Sequence, residues 1–137
     1  GNCADLPNVR TFECALGSEE WVGRLYSHDQ DPGKSSLLKT PYHDDLHYEQ
    51  CEVHPLDWFQ LTNVGFLKID VEGHEEEVLR GATETLARNY WPKIILECWS
   101  YPWFQLRKNS LMTYVEGIGY TIIPVQWPDM YLLERRT

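Results

Sequence analysis

The stretch "FLKIDVEGHEEEVLRGA", Phe66 to Ala82, begins as a strand and ends as a helix. Strand side chains alternate between two faces with period two. Leu67, Ile69 and Val71 therefore form an apolar face, and Lys68, Asp70 and Glu72 a charged one. Gly73 supplies a turn. Glu75, Glu76 and Glu77 then fill a first helical turn, where the helix dipole favours negative charge. Val78, Leu79, Ala82 and Leu86 recur at helical spacing, and Glu76–Arg80 and Glu84–Arg88 are i,i+4 pairs in the favourable order. The pattern predicts one helix, ended by Asn89 and Pro92.

Working outward, "VGFLKIDV" has the near-continuous apolar character of a buried parallel strand, and "KIILECW" is a second. A helix between two such strands makes a right-handed βαβ unit and a parallel sheet. "NSLMTYVEGIGY" predicts a helix with Leu111, Met112 and Val115 inside. "YTIIPVQWPDMYLLER" predicts a closing β-hairpin that turns near Trp127 to Asp129. On the N-terminal side, Val9 to Ala15 reads as a strand closed by Gly17, and "WVGRLYS" as another. "HDQDPGKSSLLKTPYHDD", His28 to Asp45, reads as a long surface loop of the kind that often carries function. "YEQCEVH" is extended, and "LDWFQL" after Pro55 is one short helical turn. There is no internal repeat, no GxGxxG and no P-loop.

Residues 1–137 read as a single, partial domain, because the chain begins "GNCADLPNV" with no initiator Met. Apolar residues make up 42%, and six tryptophans and eight tyrosines oppose disorder. The net charge of −9, from 21 acidic and 12 basic residues, repels phosphate backbones and anionic bilayers. Neither nucleic acid nor membrane is therefore an expected partner, and no apolar run approaches the ~20 residues that span a bilayer. The four cysteines, Cys3, Cys14, Cys51 and Cys98, make no CxxC pair, which argues against a zinc knuckle. Cys14 and Cys98 read as small buried hydrophobes, and the expected compartment is the reducing cytoplasm.

In open α/β sheets, ligands bind outside the carboxyl ends of the strands. Asp70 and Glu72 stand at one such end and Glu97 at the end of its expected neighbour. Lys68 is expected to pair with Asp70 or Glu97, since an unpartnered buried charge is costly. Two explanations fit: a structural ion-pair network with Glu72 capping the helix, or a site for a polar, cationic ligand. His74 at the crevice mouth has the neutral pKa range of a general base, or is a solvated first-turn residue. His74 and Glu77 share a face at i,i+3, but acids in a first turn usually serve the dipole.

"FLKIDVEGHEEEVLRGA" followed by "TLARNYWPKIILE" resembles the FkbM-type methyltransferases, which use S-adenosylmethionine. The K-I-D-V-E-G block is fairly specific. "NVRTFECALGSEEWVGRLY", "GKSSLL", "CEVHPLDWF" and "YVEGIGYTIIPV" agree with the family in order and support it. The resemblance implies an α/β fold with a Rossmann-like class I methyltransferase sheet, mostly parallel with an antiparallel terminal hairpin. It implies that Asp70 sits near the reactive methyl and the acceptor, that Glu72 shapes the same wall, and that Glu97 closes the site. His74 falls at the family's variable position. Ala15 and Leu16 would approach the adenine side, and Ser35 and Ser36 would line the substrate pocket from their loop. The family's glycine-rich turn and ribose-binding acid should precede "NVRTFECALG", yet only eight residues precede Val9. The chain is therefore expected to lack the first two strands, and to act with a missing N-terminal half or as a homodimer.

The implied reaction is methyl transfer to a hydroxyl of a sugar, polyol or natural product, a small-molecule acceptor, with His74 or Glu97 taking the proton. Asp70 and Glu97 would also suit Mg²⁺, although no metal is part of the expectation. Two rivals stand beside this reading. One is a non-catalytic remnant of the fold used for binding or assembly. The other is a metal-dependent hydrolase built on Asp70, Glu72 and His74. The aromatic run "CWSYPWF", Cys98 to Phe104, serves either to stack on a sugar or flat ligand or to pack the core.

Overall fold

A computed structural model of the chain describes residues 6–28, 31–43 and 47–137. Cys3 and the loop residues Asp29, Gln30, Asp44 and Asp45 lie outside the described residues. The described strands form two sheets. The first contains β1 (Ala15–Leu16), β2 (Trp21–Tyr26) and β3 (Tyr48–His54) in the order β1-β3-β2. β1 runs parallel to β3, and β2 runs antiparallel to it. The second sheet holds β4 (Phe66–Ile69), β5 (Lys93–Glu97), β6 (Tyr120–Pro124) and β7 (Met130–Arg135), in the order β4-β5-β7-β6.

β4 and β5 are parallel, as the strand–helix–strand pattern requires. The terminal hairpin forms as expected, but β7, not β6, lies against β5, and both of its pairings are antiparallel. Among the described residues two of the five strand pairings are therefore parallel, which corrects the expectation of one mostly parallel sheet. β4 is also less buried than its apolar run implied. It is the sheet's outer strand, and the Phe66 side chain there is 54% exposed. The predicted strand from Val9 contracts to Ala15–Leu16, because residues 9–13 are exposed and make no ladder.

The predicted single helix is two: α1 (Glu75–Arg80) and α2 (Thr83–Arg88). A Cβ on Gly81 would stand 2.0 Å from the backbone oxygen of Gly17, so the chain just after β1 runs directly against the junction. Asp57, in the short 3-10 turn Leu56–Phe59, takes over the N-terminus of α2. Its Oδ1 accepts from the Thr85 backbone N–H at 2.7 Å, and its Oδ2 from that of Glu84 at 3.1 Å. These are the amide groups that a helix start leaves without intrahelical partners. At the far end the Asn89 amide donates to the Thr85 and Leu61 carbonyls, and its Oδ1 accepts from the Val64 N–H.

α3 (Gln105–Gly117) packs its Leu111 and Val115 inward. The core lies between the helices and the second sheet, with Leu79, Leu86, Ile94, Leu96 and Leu133 all fully buried. Cys98 is buried, as expected, and Cys14 is half-buried. The long loop is not wholly a surface feature. It holds a 3-10 turn at Pro32–Lys34 and a bridge between Tyr26 and Ser36, and it buries Ser36, Thr40 and His43. Among the described residues no helix is long and apolar enough to cross a membrane.

Candidate acidic cleft at the strand ends

Directly beyond Ile69 the chain leaves β4 and turns sharply. Glu72 and Gly73 both take left-handed backbone conformations, with φ of 53° and 99°. At Gly73 a side chain would be strained and would press within about 3 Å of Leu38 and Trp99, so glycine is required there. The turn is held from two sides. Beneath it the buried carboxyl of Glu75 accepts the Gly73 N–H at 3.1 Å and the Val71 N–H at 3.3 Å. From the loop, the Ser36 hydroxyl donates to the Glu72 carbonyl at 2.5 Å and accepts the Leu38 N–H at 2.9 Å. Burial pushes Glu75 up to about 7 against the pull of those backbone donors.

This turn brings the carboxylates of Asp70, Glu72 and Glu97 together, with one oxygen of each within 4.8 Å of the others. The parallel register that sets Ile69 beside Leu96 puts Asp70 and Glu97 next in line. The Lys68 ammonium sits 3.0 Å from Asp70 Oδ2, one of its two expected partners, but on an exposed rim and not in the buried setting that motivated the expectation. Burial would raise the Asp70 carboxyl, but its hydrogen bond with Glu97, together with Lys68, holds it below the ordinary value. Glu97 is pushed up to about 7 by burial, then by that hydrogen bond and by the charges of Asp70, Glu72 and Glu75. Of the two, Glu97 therefore holds a proton more tightly than Asp70. Burial and the Asp70 charge also raise Glu72.

Glu72 and Glu97 open onto a cleft of about 380 Å³, while Asp70 stands beside it, outside the lining. Glu72, Glu97 and Asp129 line it, facing a set of aromatics formed by Tyr42, Trp99 and Tyr101. His28, Lys34, Thr40 and His43 line the loop side. His43 is a structural pin. Its Nδ1 accepts the Thr40 N–H at 3.2 Å, which leaves Nε2 to donate to the Lys34 carbonyl at 3.1 Å. Asp129, in the β6–β7 turn, accepts the Ser100 hydroxyl at 2.5 Å. Lys108 reaches Ser100 at 3.1 Å and the Tyr131 hydroxyl at 2.9 Å.

Several expected site residues stand elsewhere. His74 does not line the cleft. Simple alternation would align it with Asp70 and Glu72, but two consecutive left-handed residues break that alternation. The His74 Nδ1 is instead buried without a hydrogen bond, 3.6 Å from Glu77, and burial lowers its pKa. Ser35 and Ser36 do not line the cleft either. The Ser35 hydroxyl closes its 3-10 turn on Pro32, and that of Ser36 holds Glu72. Ala15 and Leu16 lie in β1, where Leu16 joins Phe12, Leu56, Phe59 and Leu61 around a separate apolar cavity of about 250 Å³. Asp129, Lys34 and Tyr42 were missed. In sequence Asp129 is an ordinary turn residue, and only the folding of β7 against β5 carries it to the cleft.

Comparison with known proteins bears on the family and the fold. A family model described as a methyltransferase FkbM domain matches residues 4–122. No curated protein matches the chain. The crystal structure of methyltransferase FkbM from Methylobacillus flagellatus KT has a similar fold, with a TM-score of 0.55 at 18% sequence identity. The match covers 91% of this chain and 28% of that one, so this chain spans less than a third of that protein's length.

Proposed function

The chain belongs to the methyltransferase FkbM domain family, and on that premise we propose that it serves S-adenosylmethionine-dependent methyl transfer to a hydroxyl oxygen on a sugar, polyol or natural product. When bound, the cofactor supplies an electrophilic methyl group on a cationic sulfonium. The residues present fit that group in part. Three carboxylates within 4.8 Å suit a cation, and the apolar cavity beside Leu16 suits a flat base.

The observation that carries the proposal is the convergence of Asp70, Glu72 and Glu97 at the ends of two adjacent parallel strands in a member of this family. Asp70, held ionised by Glu97 and Lys68, orients an acceptor hydroxyl by accepting its hydrogen bond. Glu97, with a pKa of about 7, is the proton acceptor. It is largely ionised above that pH, and near it the group is neither too weak a base nor always protonated. Glu72 forms the wall behind them. His74 has no direct part, because its ring does not line the cleft and its Nδ1 is buried. The same placement weighs against a hydrolase that needs Asp70, Glu72 and His74 around one metal.

The test is calorimetric titration of the chain with S-adenosylmethionine and, separately, with neutral S-adenosylhomocysteine. Asp70→Asn should weaken the cationic ligand about tenfold and the neutral one much less. A folded chain that binds neither overturns the proposal.

A further inference from the structure

The cleft's second wall is aromatic, and its chemistry narrows the acceptor. Tyr42 is 59% exposed and Tyr101 43% exposed, although both line a cleft whose other wall is acidic. Their rings lie 6.0 Å apart at 60°. Tyr101 is braced from behind. Trp103 stacks on it at 5.6 Å and 9°, and Trp99 meets it edge-on at 5.7 Å. Trp99 in turn packs edge-on against the buried Phe104. Trp99 and Phe104 therefore pack toward the core, while Tyr101, braced by the two tryptophans, and Tyr42 are left as an exposed aromatic surface in the cleft lining. Such preorganisation lowers the ordering cost of binding.

A ligand for this cleft needs one apolar face and a rim of hydroxyl donors. The apolar C–H face of a pyranose stacks on aromatic rings, and its hydroxyls donate to carboxylates. Phosphate is disfavoured in the same space. Glu72, Glu97 and Asp129 line the cleft, while Lys34, the lysine in its lining, lies 3.8 Å from Asp31. A diphosphate would face three acidic side chains, with Lys34 already beside Asp31 and the imidazoles of His28 and His43 as the other basic groups of the lining. Resting on the reading of the cleft as the acceptor site, we propose that it takes the pyranose ring of a neutral glycoside, stacked on Tyr101 and Tyr42, and rejects the nucleotide-activated form of the same sugar. The reaction that supplies this substrate is then a glycosyl transfer that has already released the nucleotide. Methylation follows attachment of the sugar.

The experiment is saturation-transfer NMR on the whole chain, without cofactor. The probes are methyl α-D-glucopyranoside, methyl β-D-galactopyranoside and methyl α-L-rhamnopyranoside, beside UDP-glucose, UDP-galactose, dTDP-rhamnose and the flat aromatic 2-naphthol. At least one methyl glycoside should show transfer to its ring C–H protons. Its nucleotide-sugar counterpart should bind about tenfold more weakly at low salt, with the gap closing as salt screens the carboxylates. Tyr101→Ala should weaken the glycoside about three- to tenfold, and Tyr101→Trp should restore it. Nucleotide sugars binding as well as glycosides, 2-naphthol binding in preference, or no glycoside bound by a folded chain would each overturn the inference. A parallel S-adenosylhomocysteine titration reports on methyl transfer separately. Binding there without glycoside binding overturns the acceptor class alone.

Discussion

Asp57 is the point at which the two-helix arrangement can be broken with one substitution. Four groups donate to its carboxylate. The Thr85 N–H and hydroxyl both lie 2.7 Å from Oδ1, and the Glu84 N–H and Thr83 hydroxyl lie 3.1 and 3.4 Å from Oδ2. Truncating a helix N-cap to Ala costs about 0.5–2 kcal/mol. Asp57→Ala also strips the Thr85 hydroxyl, which is fully buried, and an orphaned buried polar group costs about 1–3 kcal/mol. The sum is about 1.5–5 kcal/mol, a drop in Tm of roughly 5–17 °C for a chain of this size. Urea denaturation followed by circular dichroism gives the free energy. Asp57→Asn should fall between, because its carbonyl still accepts from Thr85 while its NH₂ faces the Glu84 N–H. Thr85→Val should cost little in the Asp57→Ala background and about 1 kcal/mol or more in the native one. A loss under about 0.5 kcal/mol for Asp57→Ala, or strict additivity with Thr85→Val, would refute this account of α2.

Two further predictions concern the junction and the turn. Gly81→Ala should destabilise by about 3 kcal/mol or more, because its Cβ meets rigid backbone at 2.0 Å. Gly117→Ala, where nothing lies within 4 Å, should be neutral or stabilising by up to about 1 kcal/mol in the same denaturation assay. Glu75 and Glu97 both hold protons more tightly when folded, with values of about 7 against an ordinary 4.5. Their contribution to stability is therefore full below about 4.5 and lost as pH rises through about 7. Glu75→Gln keeps the acceptor oxygen but removes the buried charge. It should match the native chain near pH 4.5 and exceed it at pH 8 by on the order of 2 kcal/mol, and parallel profiles of denaturation midpoint against pH would count against a raised Glu75.

The strand–turn–helix from Phe66 was legible because its two periodicities, two and 3.6, are local properties of the chain. The acidic cluster was legible for a related reason. Parallel pairing in register places strand ends side by side, so Asp70 and Glu97 could be brought together from sequence alone. The rest depended on contacts distant in sequence. α1 and α2 separate because Gly17, more than sixty residues earlier, passes against Gly81. His74 was misplaced because nothing in the sequence distinguishes one left-handed residue from two in succession, and the second reverses the face. Ser35 and Ser36 have the composition of a pocket lining, yet their hydroxyls are engaged in holding backbone.

The order β4-β5-β7-β6 also bears on how the chain is made. Residues 120–124 leave the ribosome before residues 130–135, so β6 emerges with α3 beside it but no strand to pair with. The sheet is completed from its middle, by its latest strand. A translational stop after Asp129 would not trim an edge. It would remove the shared neighbour of β5 and β6, exposing two ladders of unpaired amides to other nascent chains at once.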